Sequence, residues 1–268
     1  MLEITVIQPS YYSGENPDKK IAEFLMSEAK AAPNGGLIVL PEYSNAGGLS
    51  DKESEMRALP KAKTMLEESA IIAKSKGAYV TINVLEERNS QLVNSTYLFG
   101  RNGEVSFIYD KIHLPPSEIS LGVKYGDGAC VCELDGIRFG FMTCYDVYFN
   151  EQIEYIASQR PDIILIPGYQ LQERTDIIEA QAKLTAFRCN SFIARASYSM
   201  GDDNYGGNSM IVAPDGKILK NLGKDTGSAS VSVDIKEKYM RTAGFGGNTV
   251  RNDDFINAGL RPDIFSKI

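Results

Sequence analysis

Histidine is nearly absent from this chain: among 268 residues, His113 alone carries an imidazole. No site that draws two imidazoles from one chain can form, which removes HExxH zinc proteases and two-histidine iron centres. Any Ser-His-Asp arrangement would have to run through His113. Cysteine is scarce as well. Cys130, Cys132, Cys144 and Cys189 form no CxxC pair and no zinc-ribbon spacing, so reduced thiols are expected rather than structural zinc or a disulfide framework. Tryptophan is missing altogether. No run approaches the ~18 consecutive apolar residues of a membrane span. The opening Met1-Leu2-Glu3-Ile4 lacks the basic and apolar segments of a secretory signal. Excess positive charge is lacking too, with 28 basic against 35 acidic residues and a formal net charge of −7. A cytoplasmic protein that binds neither nucleic acid nor membrane is expected.

What remains is ordinary globular composition, 43% hydrophobic and 24% charged, in a chain long enough to bury a full core unaided. No linker, charge block or repeat period divides it, so residues 1–268 read as one domain. The stretch 242–268 is rich in Gly and Asn. Its Phe245, Phe255, Ile256, Leu260 and Phe265 suggest a packed C-terminal arm, lying against another subunit.

Leu2 to Gln8 alternates as a strand, and Pro17 opens a helix whose Ile21, Phe24, Leu25 and Met26 make an apolar stripe to about Ala32. Leu37 to Leu40 is a short, continuously apolar run typical of a buried strand. Pro60 to Lys76 reads as a second helix stopped by Gly77, followed by a strand from Tyr79 to Leu85. Hairpins then dominate, turning at Asn102-Gly103, Asp135-Gly136 and Asp215-Gly216, pairs that tolerate the positive φ of tight turns. Helix patterns return at 150–159 and 174–190, with strands at Ile163 to Ile166 and Phe192 to Ala196. The pattern is that of an α/β chain.

Three reactive side chains follow strand ends: Glu42 after Leu37 to Leu40, Lys111 after Val105 to Tyr109, and Cys144 after Ile137 to Thr143. Ligand sites in α/β sheets gather beyond the carboxyl ends of strands, so the three suit a composite site. The segments Leu40-Pro41-Glu42-Tyr43, Asp110-Lys111-Ile112-His113-Leu114-Pro115 and Thr143-Cys144-Tyr145-Asp146 resemble the three signatures of the nitrilase superfamily of carbon–nitrogen hydrolases. Asn94-Ser95-Thr96-Tyr97, Phe149-Asn150-Glu151 and Ala213-Pro214-Asp215-Gly216 support the likeness, which runs from residue 2 to about residue 233.

The resemblance implies a four-layer αββα sandwich, a homodimer or higher homo-oligomer paired through the helices near 150 to 190 and the arm, and no cofactor. It implies Cys144 as nucleophile, Glu42 as general acid–base, and Lys111 with the Tyr145 backbone N–H as oxyanion donors. Glu118, seven residues after Lys111, is the candidate supporting glutamate. The chemistry needs these types. A thiol attacks only as thiolate, so it wants a base beside it, and the thioester it forms divides amide hydrolysis into two easier steps. Cys-Tyr-Asp without tryptophan resembles the amidase and carbamoylase branches. The expected reaction is therefore hydrolysis of a small linear amide or N-carbamoyl compound with release of ammonia. Nitrile hydrolysis and a catalytically silent binding protein of the same fold are the alternatives. His113, Cys130, Cys132 and Cys189 are expected to be structural, and Arg174 a surface residue at a helix end. The helix segment Ala186-Phe187-Arg188-Cys189-Asn190 departs from the Ala-x-Glu-Asn of many relatives.

Overall fold

The structure is a computed structural model in which residues 1–49 and 51–265 are described. The first half runs through β1 (Leu2–Gln8), α1 (Pro17–Ala31), β2 (Leu37–Val39), α2 (Lys52–Lys76), β3 (Tyr79–Arg88), β4 (Gln91–Phe99), β5 (Val105–Asp110) and the short α3 (Pro116–Leu121). The second contains β6 (Val131–Leu134), β7 (Ile137–Phe141), α4 (Asn150–Ser158), β8 (Ile163–Pro167), α5 (Thr175–Cys189), β9 (Phe192–Ala196), β10 (Met210–Val212), β11 (Ile218–Asn221) and β12 (Gly227–Val233). They make two six-stranded sheets, ordered β12-β1-β2-β3-β4-β5 and β11-β10-β9-β8-β7-β6. Each has a parallel centre, β1-β2-β3 or β7-β8-β9, with antiparallel strands on both flanks. The topology is thus duplicated although no repeat shows in the sequence.

Side chains alternate across a strand, so each inner strand serves two cores. Ile4, Val6, Leu37, Val39 and Tyr79 meet Phe139, Phe141 and Leu165 between the sheets. Ile7, Ile38, Val80 and Ile82 face the other way, onto Ile21 and Leu25 of α1 and Met65 and Ile72 of α2. Ile156 of α4 and Ile178, Ala182 and Ala186 of α5 cover the second sheet. The architecture is the expected αββα sandwich.

Two local expectations need correction, and one strand goes unforeseen. Helix α2 begins at Lys52, not Pro60, because Asp51 caps it through a 2.9 Å bond from the Ser54 N–H. Pro60 lies inside the helix, where the missing N–H costs up to about 3 kcal/mol, and the buried Ala58, Ala62 and Met65 offset it. Strand β3 continues to Arg88 and turns through Asn89 and Ser90 (φ 53° and 59°) straight into β4. Its charged end hides this hairpin from a hydrophobic pattern. Strand β12, made largely of small residues, carries too weak a pattern to stand out, yet it pairs along the whole of β1.

The C-terminal segment forms a hairpin of β13 (Met240–Thr242) and β14 (Thr249–Arg251), then α6 (Asn252–Asn257) and α7 (Pro262–Phe265). It is anchored by polar groups rather than by most of the expected apolar ones. Asn252 donates to the Phe187 carbonyl at 2.7 Å, and Asn190 donates to buried Asp253 at 2.8 Å. Phe245 and Leu260 are exposed, Ile256 is half-buried, and Phe255 carries the Arg241 guanidinium 4.0 Å from its ring centroid. The Phe265 side chain lies outside the described residues. Asn190, in the α5 segment that departs from the family pattern, serves the same arm. It ends the helix in the left-handed region (φ 51°), which asparagine tolerates, and its side chain holds the Tyr239 backbone N–H and C=O.

Candidate active site

Strand direction brings the three reactive groups together. Strands β2 and β3 are parallel, β4 reverses, and β5 therefore points the same way as β2. Glu42, three residues beyond β2, and Lys111, immediately after β5, leave the first sheet at one edge. Cys144, three residues beyond β7, reaches the same place from the second sheet. Lys111 and Glu42 are each 1% exposed. Lys111 Nζ lies 2.8 Å from Glu42 Oε1 and 3.0 Å from Glu118 Oε2. Glu118 comes from α3, where Pro116 opens the helix, and it too is buried.

Asn94 of β4 supports both carboxylates, its Nδ2 lying 2.8 Å from Glu42 Oε1 and 2.8 Å from Glu118 Oε1. Asn83 of β3 donates to Asn94 Oδ1 at 2.6 Å and to Thr96 Oγ1 at 3.0 Å, and accepts the Tyr43 N–H at 2.9 Å. Tyr43 OH donates to Glu118 at 2.6 Å, while Tyr198 OH donates to the Glu42 carbonyl at 2.8 Å. Glu42 Oε2 is left buried with no hydrogen-bond partner among the described residues.

Cys144 adopts φ 48°, a left-handed conformation that non-glycine residues seldom adopt and that is stored as strain at functional sites. A 3₁₀ turn over Cys144–Tyr148 starts there. Buried Asp146 holds the turn, accepting from the Thr143 N–H at 2.7 Å, the His113 N–H at 2.9 Å and Tyr109 OH at 2.6 Å. The Tyr145 N–H makes no hydrogen bond to a described residue. The Cys144 side chain opens with Glu42, Lys111, Glu118, Tyr43, Tyr145 and Tyr169 onto a pocket of about 890 Å³.

Burial and the Glu42 charge push the Cys144 thiol well above the ordinary thiol range, with Lys111 and the Tyr169 backbone pulling the other way. The thiol is therefore neutral at rest. Burial also raises Glu42, opposed by the Lys111 charge and reinforced by that of Glu118. Burial works against the Lys111 ammonium, yet Glu42, Cys144 and Glu118 outweigh it and hold the amine protonated. A carboxylate with raised proton affinity and one free oxygen, next to a protonated thiol, can accept that proton when sulfur attacks.

A model of the carbon–nitrogen hydrolase family matches residues 4–243. The chain belongs to this family. It is 25% identical over 239 residues to the 2-oxoglutaramate amidase of Bacillus subtilis, covering 84% of this chain and 88% of that protein. It is 23% identical to an (R)-stereoselective amidase of a Pseudomonas species, covering 88% and 86%. A solved variant of the Nesterenkonia AN1 amidase, of the nitrilase superfamily, superimposes with a TM-score of 0.77 over 99% of this chain and 96% of that one at 17% identity. Another structure of that amidase, with covalent addition of the acetamide moiety of fluoroacetamide at its active-site cysteine, gives 0.76 over 99% and 96% at 19% identity. At such identities these neighbours speak for the fold.

In this carbon–nitrogen hydrolase the single imidazole stands outside the pocket. His113 Nδ1 lies 3.0 Å from Asp146 Oδ1 and its ring stacks on Phe149 at 3.8 Å between centroids. The hydrogen bond to Asp146 holds its pKa above the ordinary histidine value, against partial burial. A raised folded-state pKa adds stability that is complete below the unfolded value of ~6.5 and is lost as pH rises through the folded value. The melting temperature of wild type minus that of His113→Gln is therefore expected to be largest near about pH 6 and to shrink as pH rises toward about 8. A difference that stays flat across that range would remove the imidazolium–Asp146 pair as its cause.

Cys130 and Cys189 are buried and Cys132 half-buried, and all three pack with the core between sheets and helices. Arg174 is an exposed residue paired with Asp176. The sequence assigns no role to Asn83 or Tyr198, and offers Asn94, Thr96 and Asp146 only as parts of the family-like segments. The available signal is polar residues at inward positions of otherwise apolar strands, which need partners once buried.

Proposed function

We propose that this carbon–nitrogen hydrolase cleaves the C–N bond of a small linear amide or N-carbamoyl compound through a Cys144 thioester, releasing ammonia. The supporting observation is the buried Glu42–Lys111–Glu118 cluster at the pocket wall that carries Cys144. Glu42 takes the thiol proton through Oε2 as sulfur adds to the carbonyl carbon. The oxyanion is held by the Tyr145 N–H and by the third N–H of Lys111, whose other two face Glu42 and Glu118. Glu42 returns its proton to the leaving nitrogen, the C–N bond breaks and ammonia departs. A water molecule, deprotonated by Glu42, then adds to the thioester; the carboxylic acid leaves and sulfur recovers the proton. Thiol, carboxylate and ammonium supply every step, so the reading calls for no metal or organic cofactor.

The amidase names of the relatives support an amide over a nitrile, as does the lack of tryptophan. Wild-type protein is to be incubated with linear amides, carbamoyl compounds and nitriles side by side, following ammonia and intact mass. Ammonia from amide or carbamoyl compounds, with an acyl adduct at Cys144, supports the reading. Turnover of nitriles alone overturns the substrate class, and no adduct with any of them overturns the chemistry.

We also propose that the chain acts as one domain with 242–268 as its arm, assembles as a homodimer or higher homo-oligomer, and works in the cytoplasm. Its free cysteines suit a reducing compartment. Tyr155 of α4, Leu184 of α5 and Phe245 of the arm are large apolar side chains left exposed. Leu184→Glu is expected to convert the oligomer to monomer in light scattering after size exclusion. An unchanged mass would move the interface away from α5.

A further inference from the structure

Behind the pocket wall lies a charge that the chemistry above leaves unused. Arg195, on β9, is only 2% exposed. Its hydrogen bonds all go to neutral oxygens: Nη1 to the carbonyls of Gly207 at 2.6 Å and Asn208 at 2.9 Å, and Nη2 to Gln170 Oε1 at 3.1 Å. Among the described residues no carboxylate pairs with it. A buried cation without a counter-ion is costly, so a fold that keeps one must gain elsewhere.

The surroundings are shaped to receive it. Gly206, Gly207 and Asn208 adopt φ of 64°, 57° and 56°, which turns two successive carbonyls onto one guanidinium nitrogen. A Cβ at Gly207 would sit 2.3 Å from the Gly223 carbonyl, so only glycine fits there. A guanidinium has donors and no acceptor, so it dictates which end of the Gln170 carboxamide faces it. The Gln170 nitrogen is thereby turned away, to Tyr148 OH at 3.3 Å and Gln181 Oε1 at 3.1 Å. Gln170 and Tyr148 both line the pocket beside Cys144.

We propose that Arg195 is a positioning residue for the hydrolysis: through Gln170 it orders the pocket wall, and its uncompensated charge favours negative charge as it builds on Cys144 and the attacked carbonyl. Cys144 and Tyr148, the ionisable groups placed to couple to it, are neutral at rest and both line the pocket, so its charge would be met only as one of them ionises. The inference rests on Cys144 as the nucleophile. A merely structural arginine would clamp the 206–208 loop without touching the reactivity of the thiol.

The test follows the rate at which methyl methanethiosulfonate, a small uncharged thiol reagent, modifies the Cys144 peptide between about pH 6 and 10, together with kcat and KM for an amide that wild type hydrolyses. Arg195→Met is expected to slow modification roughly threefold or more at neutral pH, to move its midpoint upward, and to lower kcat by about tenfold. Arg195→Lys restores the charge without the fork, so its thiol reactivity is expected to match wild type while KM rises. Gln170→Leu is expected to raise KM with the thiol profile unchanged. Folded Arg195→Met with wild-type thiol reactivity overturns the proposal, as does Arg195→Lys with reactivity as slow as Arg195→Met. Where Arg195→Met does not fold, as read by circular dichroism, Arg195→Gln, which keeps hydrogen-bond donors without the charge, takes its place: a slowed thiol supports the proposal and wild-type reactivity overturns it. Thiol modification is read without turnover, so a failure of the amide reading and a failure of this inference appear separately.

Discussion

Cys144→Ala is expected to abolish ammonia release, to a residual at least about 10⁴-fold below wild type, with no mass adduct on incubation with substrate. The size follows from what remains. Alanine leaves the proposed oxyanion donors, the Tyr145 N–H and the Lys111 ammonium, in place, so substrate is expected still to bind with its carbonyl polarised. Nothing remains to attack it except water, and Glu42 was positioned for a sulfur proton. Cys144 sits in the left-handed region and is held there by the Asp146 turn rather than by its own side chain. The fold is therefore expected to persist, with the melting temperature near that of wild type. Turnover in folded Cys144→Ala, or an adduct at Cys130, Cys132 or Cys189 in its place, would remove the proposed nucleophile.

Lys111→Met is expected to lower kcat/KM by at least about 10³-fold, more than the ~10²–10³ of a lost oxyanion donor alone. Two effects combine. In the proposed mechanism the ammonium is one donor to the oxyanion, and its charge also opposes protonation of Glu42. Without it, two carboxylates face one another under a shared Asn94 amide in a water-poor wall. Like charges so placed cannot both ionise at neutral pH, so one takes up a proton. The general base is then lost along with the donor. The residual activity of Lys111→Met is accordingly expected to rise with pH as Glu42 ionises, which a pH–rate profile would show. A loss of tenfold or less would remove Lys111 from the reacting centre. A larger loss with the wild-type pH profile would leave it as donor only.

The sites of Glu42, Lys111 and Cys144 at strand ends were legible because their sequence context is local. Each follows a short apolar run, and buried strands announce themselves by continuous hydrophobicity. Glu118 was legible only through spacing and resemblance, since a glutamate after two prolines reads equally as a loop carboxylate; its burial depends on α3 folding over the pocket. Arg195 was not legible at all. Its strand, Phe192 to Ala196, reads as apolar, and nothing local says that a guanidinium there finds carbonyls from 207 and 208 and the side-chain amide of residue 170. The start of α2 was misplaced for a related reason: Pro60 is a strong local signal for a helix start, and tertiary burial of the flanking Ala58 and Ala62 overrides it. The polar anchoring of the C-terminal arm by Asn252 and Asp253 is not legible in the sequence, because small polar residues in a Gly-rich stretch resemble loop.

From sequence alone came the alternation of strands and helices, the reactive types, and the exclusions drawn from one histidine and no tryptophan. These depend on neighbours within a few residues, where periodicity and turn chemistry act. The tertiary structure decided the pairing of β12 with β1, the duplicated sheets, the meeting of Glu42, Lys111, Glu118 and Cys144 in one wall, and the buried charge of Arg195. Those depend on which groups lose their water together, and desolvation is a property of the packed molecule rather than of any segment.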